Sequence, residues 1–237
     1  MGAVRSAAPR SGASPAPAAG RGPLLEARGI AKAWGGRHVL AGVDLTVGPG
    51  TLVAVTGANG TGKTTLLRIC AGLIAADAGR VGVGGLDPSR DRAAYQRRVG
   101  FLAAGDRGLY ARLTTRRHLD LWARVSLLGR RRPAAIERTV AALDLAPLLD
   151  RRLDRLSMGQ RQRVRLAMAF LHEPDLVLLD EPLNSLDEHG RELLVGALAA
   201  LGRRGGAAVC CSPAVVAGIP FDRALVLDGG RLRESSR

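Results

Sequence analysis

The chain has 237 residues, enough for one large domain or one domain with an inserted lobe, and its 46% hydrophobic and 24% charged residues give a globular balance. No apolar run approaches the roughly 20 residues of a membrane span. The formal charge of +14 rests on arginine, with Lys32 and Lys63 the only lysines; because the arginines are scattered and aromatics make up 3%, a solvated basic face is expected rather than a specific nucleic-acid surface.

Residues 1–23 lack the continuous apolar stretch of a signal peptide, contain no acid and are rich in Pro, Ala, Gly, Ser and Arg, so a disordered tail is expected there. Residues 24–50 read as β-structure, "LLEARGI" then "HVLAGVDLTV", closed by the turn Gly48-Pro49-Gly50. Three short apolar runs, "TLVAVTG" (51–57), "DLVLLDE" (175–181) and "AAVCC" (207–211), read as buried strands. Helical patterns follow them in "GKTTLLRICAGL", in "LDEHGRELLVGALAALG" and briefly after Pro213, and that alternation predicts a parallel sheet with helical crossovers. Between about 106 and 172 the strand signal vanishes into three helical stretches, a lobe inserted into the α/β core. A hairpin around Asp228-Gly229-Gly230 closes the chain. The three cysteines make no disulfide framework and no zinc set. Cys210 and Cys211 are neighbours on a strand and so point to opposite faces, and all three thiols are read as reduced core residues.

"GANGTGKT" fits the phosphate-binding loop pattern at every required place, between a buried strand and a helix. Its glycines let backbone N–H groups wrap a phosphate chain, and the helix N-terminus adds its positive dipole end. Gly57, Ala58, Asn59, Gly60, Thr61, Gly62, Lys63, Thr64 and Thr65 are therefore candidate nucleotide-binding residues. Lys63 is expected to reach the β- and γ-phosphates, and the Thr64 hydroxyl to ligate Mg²⁺. "LVLLDE" ends an apolar strand in two carboxylates at the sheet edge where α/β proteins bind ligands. Asp180 is expected to hold Mg²⁺ through water, and Glu181 to orient or deprotonate an attacking water. "LSMGQ" opens a helix, and its Ser157-x-x-Gln160 satisfies a capping box. Gly159 costs roughly 1 kcal/mol against Ala in a helical turn. Its presence is read as room for a ligand to approach the backbone, where Ser157 and the helix dipole would face an anion.

Taken together, the phosphate loop, "LSMGQ", "LVLLDEP" and "NSLD" resemble the ATP-binding subunit of ABC transporters, over about Leu24 to Arg233. The resemblance implies a P-loop NTPase core with a parallel sheet, an N-terminal antiparallel β subdomain and an inserted helical subdomain, with the ABC-type domain spanning 24–235. It implies ATP and Mg²⁺ as cofactors and a sandwich dimer in which Ser157, Gly159 and Gln160 of one subunit cap the γ-phosphate held by the other. Trp34 in "KAWGGRHVL" matches the family's adenine-stacking aromatic, with a lone core tryptophan as the alternative. Asp187 is similar to the aspartate that lines the dimer interface. A transmembrane permease and a second ATP-binding subunit, identical or not, are the implied partners, and the inner face of the cell membrane the implied location, with docking near Ala104 to Leu113.

Two departures stand out. The glutamine that the family carries after "VGF" is absent near Ala104, where Asp106 is the nearby carboxylate, and "GDR…LYxRLT" resembles exporter-like members. The strand "AAVCC" runs into Ser212-Pro213, where the family has a histidine that contacts the γ-phosphate, and proline offers neither imidazole nor N–H. His38, His118, His172 and His189 lie in other motifs, His189 being the candidate to fill that gap. The residues also leave open a non-transport ATPase acting on nucleic acid or ribosomes, and a degenerate subunit that binds ATP but hydrolyses little.

Overall fold

The computed structural model describes residues 22–105, 108–126, 129–215 and 218–235. The expected tail, save Gly22 and Pro23, lies outside the described residues, as does Asp106.

In chain order the elements are β1 (Leu25–Trp34), β2 (Arg37–Val47), β3 (Leu52–Thr56), α1 (Lys63–Cys70), β4 (Ala78–Val83), α2 (Arg92–Arg98), β5 (Val99–Leu102), α3 (Thr115–Val125), α4 (Arg132–Ala142), α5 (Met158–Phe170), β6 (Leu176–Asp180), α6 (Glu188–Arg203), β7 (Ala207–Cys211), β8 (Arg223–Asp228) and β9 (Arg231–Glu234). The central sheet has the order β5-β6-β7-β3-β8-β9. Its first five strands are parallel and β9 returns antiparallel. A second, antiparallel sheet has the order β2-β1-β4.

Every residue of β3, β6 and β7 is buried, which explains why these strands read as continuous apolar runs: both faces of the parallel sheet are covered. The period of two sorts their side chains between two cores. Val53, Val55, Leu176, Leu178, Val209 and Cys211 face α1 and the antiparallel sheet. Leu52, Val177, Leu179, Ala208 and Cys210 face α5 and α6. Cys210 and Cys211 thus do point to opposite faces, and burial pushes the Cys210 and Cys70 thiols up to about 12. Each leucine so buried contributes about 1.5–3 kcal/mol.

The helical lobe is α3, α4 and α5. Thr114 caps α3, accepting from the Arg117 N–H, and Pro133 sits in the first turn of α4, where a missing N–H costs no bond. Three elements escape the periodic reading for local reasons. β4, "AGRVGV", is glycine-rich and buries only Val83, α2 buries only Tyr95, and β5 is four residues long. At Gly100 of β5 a Cβ would collide with the Ala169 carbonyl of α5, so the helix lies directly on the strand. The short helix expected after Pro213 is not there among the described residues. Ser212 instead donates its hydroxyl to the Ala214 carbonyl at 2.5 Å and turns the chain; residues 216 and 217 lie outside the described residues, and the described ones on either side of them up to β8 are not helical.

Candidate functional site

The glycine loop leaves β3 at the C-terminal edge of the central sheet and enters α1. Gly57 has φ 149° and a Cβ there would strike the Leu227 carbonyl at the end of β8. Gly62 has φ 107°, and a Cβ there would lie 2.8 Å from Val39 Cγ1 and 2.9 Å from the Val39 carbonyl. Both positions exclude any side chain. Gly62 is also the N-cap of α1 and supplies no side-chain cap, so the first N–H groups of the helix face outward with its dipole. Lys63 is buried, and its Nζ donates to the Gly57 and Ala58 carbonyls at 2.6 and 2.9 Å. An ammonium thus sits inside a curl of backbone, beside a helix N-terminus, an arrangement that favours a polyphosphate.

Asp180, at the end of β6, comes to that loop from 116 residues away and accepts a hydrogen bond from the Thr64 hydroxyl at 2.7 Å. Burial raises its carboxyl above the usual range, and the neighbouring Glu181 charge pushes the same way, while the Thr64 hydroxyl and the Ala104 N–H oppose them. A buried carboxylate with a hydroxyl beside it and open phosphate donors next door fits Mg²⁺, which takes one or two protein oxygens and completes its shell with phosphate and water. Among the described residues no three His, Cys, Asp or Glu side chains converge as a dedicated metal cage.

Glu181 has a left-handed backbone, φ 51°. Its N–H donates to the Cys211 carbonyl at 2.8 Å, its carbonyl accepts from the Asn184 N–H at 3.2 Å, and its Oε2 accepts from Asn184 Nδ2. The carboxylate therefore stands at the head of a tight turn, half-exposed beside Asp180.

Trp34 ends β1 and is 52% exposed, which rules out the lone core tryptophan. The Lys32 ammonium lies 4.7 Å from its ring centroid and pairs with Asp77 at 2.6 Å, and that bond holds the Asp77 carboxyl below its usual range. Trp34 pairs with Arg37 across the Gly35-Gly36 turn, and β2 then carries Val39 against Gly62, so one hairpin links the ring to the loop.

Ser157, Gly159 and Gln160 open α5. Ser157 and Gln160 form a full capping box, at 3.2 and 3.0 Å, and no hydrogen bond joins them to the glycine loop of their own chain. Gly159 was expected to leave room for a ligand. The structure adds a reason within the chain: a Cβ there would sit 2.7 Å from the Ser185 carbonyl oxygen, so the chain's own turn needs the glycine as well. Asp187 caps α6, accepting from the Gly190 N–H at 2.8 Å.

At the end of β7, Ser212 spends its hydroxyl on Ala214. His189 does not fill the gap, since its Nε2 lies 3.2 Å from Asp144, which Arg163 also holds. His118 lies buried against Met168 and His172 against the Val99 carbonyl, while His38 is exposed on β2. What adjoins Glu181 instead is a pocket of about 390 Å³ lined by Pro182, Asn184, Ser212, Pro213, Ile219 and Phe221 among others. Reading the residues alone missed Asn184 and the buried pair Gln162 and Arg165, which bond to the turn at Glu181 and Pro182 and to the chain just beyond β5. The available signal was two polar residues, three apart, on the buried face of α5.

A parallel sheet with a glycine loop at its edge, an enclosed lysine and a serine- or threonine-linked acidic strand end define a P-loop nucleotide-binding domain. A profile described as ABC transporter matches residues 40–184, and the chain belongs to that family. It is 39% identical, over 95% of its length and 73% of the relative's, to an aliphatic sulfonates import ATP-binding protein of Cupriavidus necator. It is 41% identical, over 71% of its length and 49% of the relative's, to a sulfate/thiosulfate import ATP-binding protein of Methylococcus capsulatus. The match thus spans about half of that second relative. Among solved structures, an ATP binding subunit of an ABC transporter superposes with a TM-score of 0.79 at 28% identity, covering 88% of each chain.

Proposed function

We propose that this chain binds and hydrolyses ATP to drive a solute across a membrane, working with a separate transmembrane partner and a second ATP-binding subunit. The observation that carries this reading is the convergence of Lys63, Thr64, Asp180 and Glu181 at one sheet edge. A triphosphate entering the loop takes the backbone N–H groups of 57–65, and Lys63 exchanges its two loop carbonyls for β- and γ-phosphate oxygens. Bound Mg²⁺, held by Thr64 and through water by Asp180, supplies positive charge to those oxygens. Glu181 orients or deprotonates the attacking water from its turn. The exposed Trp34 face suits an adenine ring.

The γ-phosphate side of this site is open in one chain, because Ser157, Gly159 and Gln160 make no bond to their own loop. Capping by the LSMGQ helix of a second subunit completes it, with Asp187 near the junction. The partner's cytosolic segment is assigned to a groove of about 480 Å³ between α2 and α3, lined by Ala93, Arg97, Phe101, Trp122 and Val125. Leu73 and Val125 stand 49% and 62% exposed there, and apolar surface of that kind marks a protein contact. No helix among the described residues is long and apolar enough to cross a membrane. The proposed transmembrane partner would hold the chain at the inner membrane face. The exporter-type expectation rests on "GDR…LYxRLT" and stands against the importer names of the two relatives.

Slow turnover belongs to the same proposal, and two features support it: the Ser212 hydroxyl donates to the Ala214 carbonyl, and His189 turns to Asp144 rather than to the end of β7. Titration calorimetry with Lys63→Ala tests the site. ATP affinity should collapse while the fold survives, and equal binding by both proteins overturns the assignment.

A further inference from the structure

Glu181 is held in a conformation that an L-residue disfavours, φ 51°, and such a backbone persists only where its surroundings over-determine it. Two of its restraints are backbone bonds, to Cys211 and from Asn184. A further one, besides the Asn184 Nδ2 bond to its carboxylate, comes from α5. Gln162 Nε2 donates to the carbonyl of Pro182, the next residue, at 2.9 Å. Gln162 Oε1 accepts from Arg165 Nη1 at 2.6 Å, and Arg165 Nη2 donates to the Ala103 carbonyl just beyond β5. Gln162 and Arg165 are 4% and 5% exposed. Taking a guanidinium out of water is costly, and it persists where it fixes geometry. The next residue after Ala103 offers its N–H to Asp180. Both catalytic carboxylates are therefore tied, from opposite sides, to the same stretch of chain at the groove floor.

We propose that Gln162 and Arg165 form a clamp that positions the Glu181 turn for hydrolysis. This rests on the reading of Glu181 as the carboxylate that handles water. Neither residue touches nucleotide; both act through the Pro182 carbonyl. Loosening the clamp lets the turn relax toward ordinary backbone angles and moves the Glu181 carboxylate off the water's line, and displacements of about 1 Å commonly cost up to ~100-fold in rate. The glycine loop and Trp34 are untouched, so the loss falls on kcat and spares KM.

The test is steady-state hydrolysis of Mg-ATP by the full chain, with melting temperature measured alongside. Gln162→Glu keeps the acceptor for Arg165, now as an ion pair, but puts a carboxylate oxygen against the Pro182 carbonyl. It should lower kcat about tenfold or more, with KM for ATP within about twofold of wild type. Arg165→Met should do the same, Arg165→Lys should recover part of the rate, and the Arg165→Met/Gln162→Glu double variant should be no worse than the poorer single. If Arg165→Met does not fold, Gln162→Glu carries the result. Wild-type kcat in a folded Gln162→Glu protein, or losses that multiply in the double variant, overturn the clamp. Glu181→Gln is the control. If it abolishes hydrolysis while the clamp variants turn over normally, the clamp alone is wrong. If it hydrolyses like wild type, or wild type itself does not turn over, the reading of Glu181 fails and the clamp with it.

Discussion

Asp180 is buried, carries its carboxyl above the usual range through burial, and is held by one hydroxyl and one N–H. A raised carboxyl makes the charged form costly to the folded state. That cost is absent below the unfolded value of about 3.9 and sets in as pH rises through the folded value. Asp180→Asn removes it. In the nucleotide-free protein the variant should melt higher than wild type at pH 7, and the gap should close as pH falls toward about 4. Mg-ATP should protect wild type in the same scan and the variant hardly at all, which is the cost of the exchange. Pro213 is a second residue whose effect can be stated. The pocket of about 390 Å³ beside Glu181 has space for an imidazole, and Ser212 does not occupy it with a donor. An added donor at the transferring phosphoryl group is worth about 2–4 kcal/mol of barrier when well placed. Pro213→His should therefore raise kcat in steady-state assays, at unchanged KM. An unaltered rate would show that the wild-type loop already supplies what is needed.

At the scale of elements, the junction that matters is the N-terminus of α5 against the turn 182–187. The capping box of Ser157 and Gln160 orients the helix, Gly159 lets the Ser185 carbonyl lie on its first turn, and Asp187 caps the helix that follows. One glycine thus does structural work in its own chain whatever it does for a neighbour. Gly159→Ala should force the helix and the turn apart, costing about 1–3 kcal/mol as an overpacked contact. The loss should be visible as a lower melting temperature without nucleotide. A melting temperature equal to wild type, with only ATP-driven pairing lost, would place the role of Gly159 wholly between subunits.

For the whole molecule, the decisive feature is that one chain presents two halves of a site that do not meet. The glycine loop and the LSMGQ helix share no hydrogen bond, so on the proposed reading a triphosphate held by the first would be left uncovered on its γ side. In the proposed dimer, two chains related head to tail would bring each LSMGQ helix to the other's loop, a closed twofold arrangement with nucleotide as the adhesive. Glu181→Gln keeps the phosphate and Mg²⁺ ligands and should stall hydrolysis, so ATP with Mg²⁺ should shift the variant from monomer to dimer in light scattering. Monomer throughout would count against a homodimer and direct attention to a non-identical second subunit. The +14 charge contributes to association rates and surface attraction rather than to this geometry.

Much of the site was legible in the chain because its chemistry is written in contiguous runs. "GANGTGKT" and "LSMGQ" make their main bonds within a few residues, through a backbone curl and a capping box, and local spacing is enough to read such bonds; "LVLLDE" was legible as an apolar strand with an acidic end. The buried parallel strands were legible too, since covering both sheet faces demands uninterrupted apolar runs. β4 and β5 were not, because their pairing comes from neighbours far along the chain and their own residues are glycine-rich or few. The contact of Thr64 with Asp180, the Ser185 carbonyl over Gly159, the turning of His189 to Asp144 and the Gln162–Arg165 clamp exist only once distant segments pack. Their partners are chosen by three-dimensional proximity, and no spacing along the chain encodes which carbonyl a buried side chain will find.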